Sequence, residues 1–134
     1  MCMVWVTIVI EFGGPAWAPR PERDAPFGAP IRLVESEADA ARAFTLYHGN
    51  RSVYTLTAGE TDELLSLLGQ MEVKAPWEAM IGFDGCTYTM KLIGPMSDVT
   101  FSWWMEVPKG WESVGAVADY VLSLVDRLGL SRYG

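Results

Sequence analysis

Histidine and cysteine are nearly missing from this chain of 134 residues: His48 is the one imidazole, and Cys2 and Cys86 are the two thiols. Each scarcity removes a class of chemistry. A single His with no Cys or second His at ligand spacing gives neither a zinc set nor a nucleophile paired with its base. Two thiols outside any CxxC spacing read as free cysteines in a reducing compartment. Also missing are the glycine-rich phosphate loops, the GxSxG elbow and the HExxH helix. What is left for catalysis is carboxylate. No short spacing among the acids predicts the pair, roughly 5 to 9 Å apart, that hydrolysis across a cleft needs. The chain is therefore read with no catalytic residue, no cofactor and no metal.

Basic side chains are outnumbered as well, ten Lys and Arg against seventeen Asp and Glu, for a formal net charge of −7. That field repels phosphate backbones and anionic lipid, which argues against nucleic acid and membrane surfaces as partners and in favour of a basic protein. No apolar run is long enough to span a bilayer. The opening MCMVWVTIVIEF lacks a basic flank and is interrupted at Glu11, so a cytoplasmic location is expected. The acids gather partly at Glu35, Glu37 and Asp39 and at Glu60, Asp62 and Glu63. Both groups read as solvated faces and helix N-terminal acids.

What is present is enough for a folded body. Half of the residues are hydrophobic, and a chain of this size buries about two-thirds of the surface it exposes when unfolded, without needing a disulfide or metal. A single domain over 1–134 is expected. Residues 3–12 alternate as a strand, with Val4, Val6, Ile8, Ile10 and Phe12 on one side, and are expected to be covered on both faces. Five prolines between Gly13 and Pro30 forbid a regular element there and leave a Pro/Gly-rich arm over 13–30. A short strand near Ile31 to Val34 is possible. Ser36 to Asp39 resembles a helix start, yet residues 43–57 read better as a hairpin around Gly49-Asn50, which places His48 at a turn.

The run AGETDELLSLLGQM places Leu64, Leu65, Leu67, Leu68 and Met71 at helical spacing, with Gly69 as its stop. From Pro76 a three-stranded meander is expected: Trp77 to Phe83, an Asp84-Gly85 turn, Cys86 to Leu92, a Gly94-Pro95 loop, and Val99 to Val107. In the register this suggests, Leu92 faces Phe101, Met90 faces Trp103 and Tyr88 faces Met105, all inward. Outward go Glu78 beside Lys91, then Met80, Thr89 and Trp104 in one row, and Glu106 in the next. Trp111, Val114, Ala118, Val121, Val125 and Leu128 make the stripe of a last helix stopped at Gly129. The sum is an α+β fold, a mainly antiparallel sheet of about five to seven strands with two helices on one face.

The segments PWE, FDGCTYTMKL and SWWMEVPKGW, followed by an apolar terminal helix, resemble a pattern found in small uncharacterised bacterial proteins, some of which are similar to immunity proteins that neutralise secreted toxins by binding them. The resemblance covers about sixty residues. It implies a binding role and carries over no catalytic or binding residue.

On these grounds the expected function is a non-catalytic protein-binding domain, an immunity-like inhibitor of a basic partner. Its expected contact surface is Trp104 with Met80, Thr89, Glu106 and Lys91, an aromatic centre in a polar rim. Two rivals stand beside it. One is a small-ligand binder or hydrolase with a pocket beside the proline-rich arm, lined by Trp17, Trp77 or Tyr88; the other is a homodimer that buries a sheet face or edge against its twin.

Overall fold

In the computed structural model, which describes residues 7–13, 30–36, 43–75 and 87–130, the alternating segments are strands and the segments of period 3.6 are helices. In chain order these are β1 (Thr7–Gly13), β2 (Ile31–Ser36), β3 (Ala43–His48), β4 (Arg51–Thr55), α1 (Ala58–Gly69), β5 (Thr87–Ile93), β6 (Asp98–Trp104) and α2 (Glu112–Arg127). The strands form one antiparallel sheet in the order β4-β3-β2-β1-β5-β6. With its two helices this is the α+β architecture that the alternation implies.

β1 is central because both of its faces are apolar where it matters. Ile8 and Ile10 are 1% and 0% exposed on one side, and Val9 is 8% exposed on the other. On one edge Ile8 pairs with Leu33 and Ile10 with Ile31; on the other Ile8 pairs with Leu92 and Ile10 with Met90. Those rows join Phe44, Leu46, Phe101 and Trp103 in the core, covered by Leu64 of α1 and by Val114, Val117, Val121 and Val125 of α2. Each fully buried aliphatic side chain contributes about 1.5 to 3 kcal/mol. Truncation at Ile10, the middle of the row, would cost more, about 2 to 5 kcal/mol, because a cavity is added to the lost transfer energy.

The meander expected after Pro76 is corrected by β5. Its first strand, Trp77 to Phe83, lies outside the described residues, as do the Asp84-Gly85 turn, Glu78 and Met80. β5 itself is taken on both edges, by β1 and by β6, over the same seven residues from Thr87 to Ile93. A strand has two edges. The partner on that edge is a strand eighty residues away, whose Ile8 and Ile10 continue the apolar row of Leu92 and Met90.

The β5–β6 ladder also differs from the expected register. Leu92 faces Val99, Met90 faces Phe101 and Tyr88 faces Trp103. The loop sets this: the Gly94 N–H donates to the Ser97 carbonyl at 2.8 Å, which brings Ile93 opposite Asp98. The shift is two residues, so every side chain keeps its face. β6 ends sooner than expected, at Trp104 rather than Val107. Met105 takes φ 59° and the Glu106 N–H donates to the Trp104 carbonyl at 2.7 Å, a γ-turn that is uncommon for a residue with a side chain.

Elsewhere local signals hold. Gly49 takes φ 66° in the two-residue turn between β3 and β4, and a bulge follows where the pairing of Leu46 passes to Tyr47. The helix-start alternative at Ser36 to Asp39 falls mostly on residues 37–42, outside the described residues. At the end of α2, Gly129 takes φ 71°, its N–H donates to Asp126 and that of Leu130 to Val125. This double closure satisfies the last carbonyls of the helix. Among the described residues no helix is long and apolar enough to cross a membrane.

Glu35 departs from the solvated reading, whereas Glu60 is a helix N-terminal acid as expected. Glu35 is 7% exposed, on the core-facing side of β2 opposite Phe44. Glu60 closes a capping box with Thr57 at the start of α1. Its Oε1 accepts from the Thr57 N–H at 2.9 Å and the Tyr54 hydroxyl at 2.5 Å, and its Oε2 meets Arg127 from the last turn of α2. The Tyr120 hydroxyl donates to the Glu60 carbonyl at 3.1 Å. One residue thus ties β4 and both helices together. The Thr57 N–H above all, then the Tyr54 hydroxyl, hold the Glu60 carboxyl down to about 2 against the desolvation that opposes them.

Glu60→Gln keeps the shape and removes the charge, and is expected to lower unfolding free energy in urea by about 2 kcal/mol at pH 7. The folded pKa lies below the ordinary 4.5, so the contribution is complete above that ordinary value and is lost as pH falls toward about 2. The gap between parent and variant must narrow across that window. A gap that stays constant down to pH 2 would contradict the linkage.

Candidate functional site

The γ-turn at Met105 lifts the chain off the sheet, and the next residues cross to α2. Val107 comes to lie against Gly115, where an added Cβ would stand 2.9 Å from Val107 Cγ2. Glycine inside a helix costs about 1 kcal/mol against alanine; here it permits the close approach. Between the sheet, the crossing segment and α2 a cleft of about 370 Å³ remains, within the range of ligand-binding cavities. Tyr88 and Trp103 line it from the sheet, Met105, Glu106 and Val107 from the crossing segment, and Gly115, Ala118, Asp119 and Leu122 from α2.

The α2 residues form one stripe at helical spacing, and the two small ones hollow it. Tyr88 and Trp103 are direct cross-strand partners and stack with centroids 5.8 Å apart and planes within 7°. Glu106 and Asp119 are exposed. Neither carboxylate has a hydrogen-bond or ion-pair partner among the described residues. The described lining carries no Lys, Arg or His. Aromatic rings draw cations to their faces through the ring quadrupole, and carboxylates add full charge, so the cleft is complementary to a cationic group with an apolar stem.

The surface expected around Trp104 is distributed differently. Trp104 is on the opposite side of the sheet from the cleft, across from Thr87, half-buried, with its Nε1 shielded from solvent and without a hydrogen-bond partner. Thr89 is one row further along that face, its Oγ1 3.0 Å from Ser102 Oγ. Lys91 is in the third row and pairs with Glu11 of β1 at 3.7 Å, while Glu78, its expected partner, lies outside the described residues. Glu106 leaves the outer face entirely and joins Tyr88 in the cleft. Met80, Trp17 and Trp77 lie outside the described residues.

His48 ends β3 at the hairpin turn. Trp111 anchors the start of α2, donating Nε1–H to the Lys74 carbonyl at 2.6 Å and standing edge-on to Phe101 at 5.7 Å. Asp119, Gly115, Val107 and Leu122 were not legible as site residues. Their signal is the Gly115, Ala118, Asp119, Leu122 flank beside the main apolar stripe of the last helix. Among the described residues no group of three or more His, Cys, Asp or Glu is placed to hold a metal ion. No protein-family model, no curated protein and no solved structure matches the chain.

Two glycine substitutions separate the close approach from helix propensity. Gly69→Ala, with nothing within 4 Å of the new Cβ, is expected to stabilise by up to about 1 kcal/mol. Gly115→Ala makes the same propensity gain but must push Val107 away, and is expected to destabilise by about 1 kcal/mol net. Thermal unfolding reads both. Equal and positive shifts would mean that Val107 does not rest on α2.

Proposed function

We propose that the chain is a non-catalytic protein-binding domain, of the kind an immunity-like inhibitor would be, which captures a basic partner at the cleft between β6 and α2. One observation carries this reading: two carboxylates without a partner among the described residues share a cleft with a stacked Tyr-Trp pair. The net charge of −7 extends the same sign over the whole chain. It steers a basic protein to the surface and makes association faster at low salt. The outer face offers less, since Thr89 and Lys91 there are already engaged with Ser102 and Glu11.

An arginine suits the cleft best. Its stem lies along Leu122 and Val107, and its flat guanidinium matches both ring faces and carboxylates. One such contact is weak, about 0.5 to 2 kcal/mol for the ring and up to about 1 for each exposed ion pair. A stable complex therefore needs a wider interface of about 1,200 Å² or more around this anchor. Inhibition would be by occlusion, with no bond made or broken.

N-methylguanidinium isolates the anchor. Titrated into ¹⁵N-labelled protein, it is expected to shift the amides of Trp103, Met105, Glu106 and Asp119, saturating at millimolar concentration. The double variant Glu106→Gln with Asp119→Asn should abolish that saturation. Shifts spread evenly over the acidic surface, or unchanged in the double variant, would reject the cleft as the site.

A further inference from the structure

The two edges of the sheet are treated differently. β4 is five residues long, begins with Arg51 and is bulged between Ser52 and Tyr54, and these are the usual means by which an edge strand is kept from pairing with other chains. β6 is seven residues long with an unbroken register from Asp98 to Trp104. It holds neither Lys nor Pro. Among the described residues its one ladder is with β5. Among the described residues four large hydrophobic side chains are exposed, and three of them, Met96 at 94%, Val99 at 44% and Met105 at 46%, belong to β6 or flank it. This edge is regular and carries exposed apolar side chains near both ends, with Asp98 as its one charged residue.

The cleft lies under the same edge, since Trp103 is both a β6 residue and part of the cleft lining. A strand added to β6 would run about 4.8 Å away and send alternate side chains to the helix side of the sheet. The one beside Trp103 would enter the cleft between Asp119 and Glu106. A second copy of this chain fits poorly, because residues 94–107 contain no Lys or Arg to bring to those acids and each copy carries −7. Charge complementarity selects a basic segment.

Resting on the reading above, we infer that β6 receives an extended segment of the basic partner as a seventh strand, with a Lys or Arg of that segment seated in the cleft. Main-chain hydrogen bonds would supply the affinity and the seated cation the register, as in other strand-addition complexes. This assigns the partner's contact as an unpaired strand or strand-forming tail that alternates β-branched residues with at least one basic residue.

A random dodecapeptide library displayed on phage, panned against the full chain, provides the probe. Selected peptides are expected to carry a Lys or Arg among alternating Val, Ile or Thr. With one such synthetic peptide bound, the β6 amides that point away from β5 should exchange with deuterium at least tenfold more slowly. N-methylation of alternate peptide nitrogens should weaken binding at least tenfold, and Asp119→Asn in the protein about threefold to fivefold. Failure to enrich any peptide, enrichment of peptides without a basic residue, or binding that leaves β6 exchange unchanged would each overturn strand addition. If N-methylguanidinium still titrates the cleft in those cases, the cation site stands and strand addition alone fails; if it does not, both fail.

Discussion

The structure depends on β1 being paired along both edges. Ile8 and Ile10 set one apolar row that runs from Leu33 and Ile31 on one side to Leu92 and Met90 on the other. That row joins two hairpin-like halves of the chain, β2 to β4 and β5 to β6, which share no other ladder among the described residues. Without it neither half offers a surface wide enough for two helices. A slip of one residue would turn Ile8 and Ile10 outward and Val9 inward, so burial enforces the register.

The position of the cleft follows from that pairing. Because β1 holds one edge of β5, β6 must take the other and become the outermost strand. Its last inward residue, Trp103, then stacks on Tyr88 at the end of the sheet, where the chain turns at Met105 and crosses to α2. Val107 against Gly115 fixes how near the crossing segment comes. The acids arrive from two separate elements, Glu106 from the crossing and Asp119 from α2, so their meeting is a consequence of tertiary packing. The other charged centre of the fold, Glu60 with Arg127, has its partners within the structure and serves to hold β4, α1 and α2 together.

Much of this was written locally. Gly49-Asn50 marks its hairpin because a two-residue turn needs positive φ. Gly129 marks a helix end for the same reason, and the Leu and Val spacings mark both helices. Side-chain parity survived a wrong register in β5 and β6, since an error of two residues leaves Trp103 inward and Trp104 outward. Three things were not local. The partner of β5 is distant in sequence, and the Asp84-Gly85 dipeptide carries no information about β1. The end of β6 at Trp104 depends on an uncommon backbone conformation at Met105, which no propensity marks. The cleft draws on residues 88, 103, 106 and 119, whose spacing has no period. By sequence alone Glu106 belongs to the outer face and Tyr88 to a different pocket; only the fold brings them together.

The ladder through β1 is tested most directly by inter-strand nuclear Overhauser effects among backbone protons of the labelled protein. The account predicts cross-peaks that place Val9 between Arg32 and Lys91, and Ile10 between Ile31 and Met90. Cross-peaks joining residues 88–92 to 77–81 in place of β1 would restore the local meander, free an edge of β1 and remove the reason for β6 to be outermost.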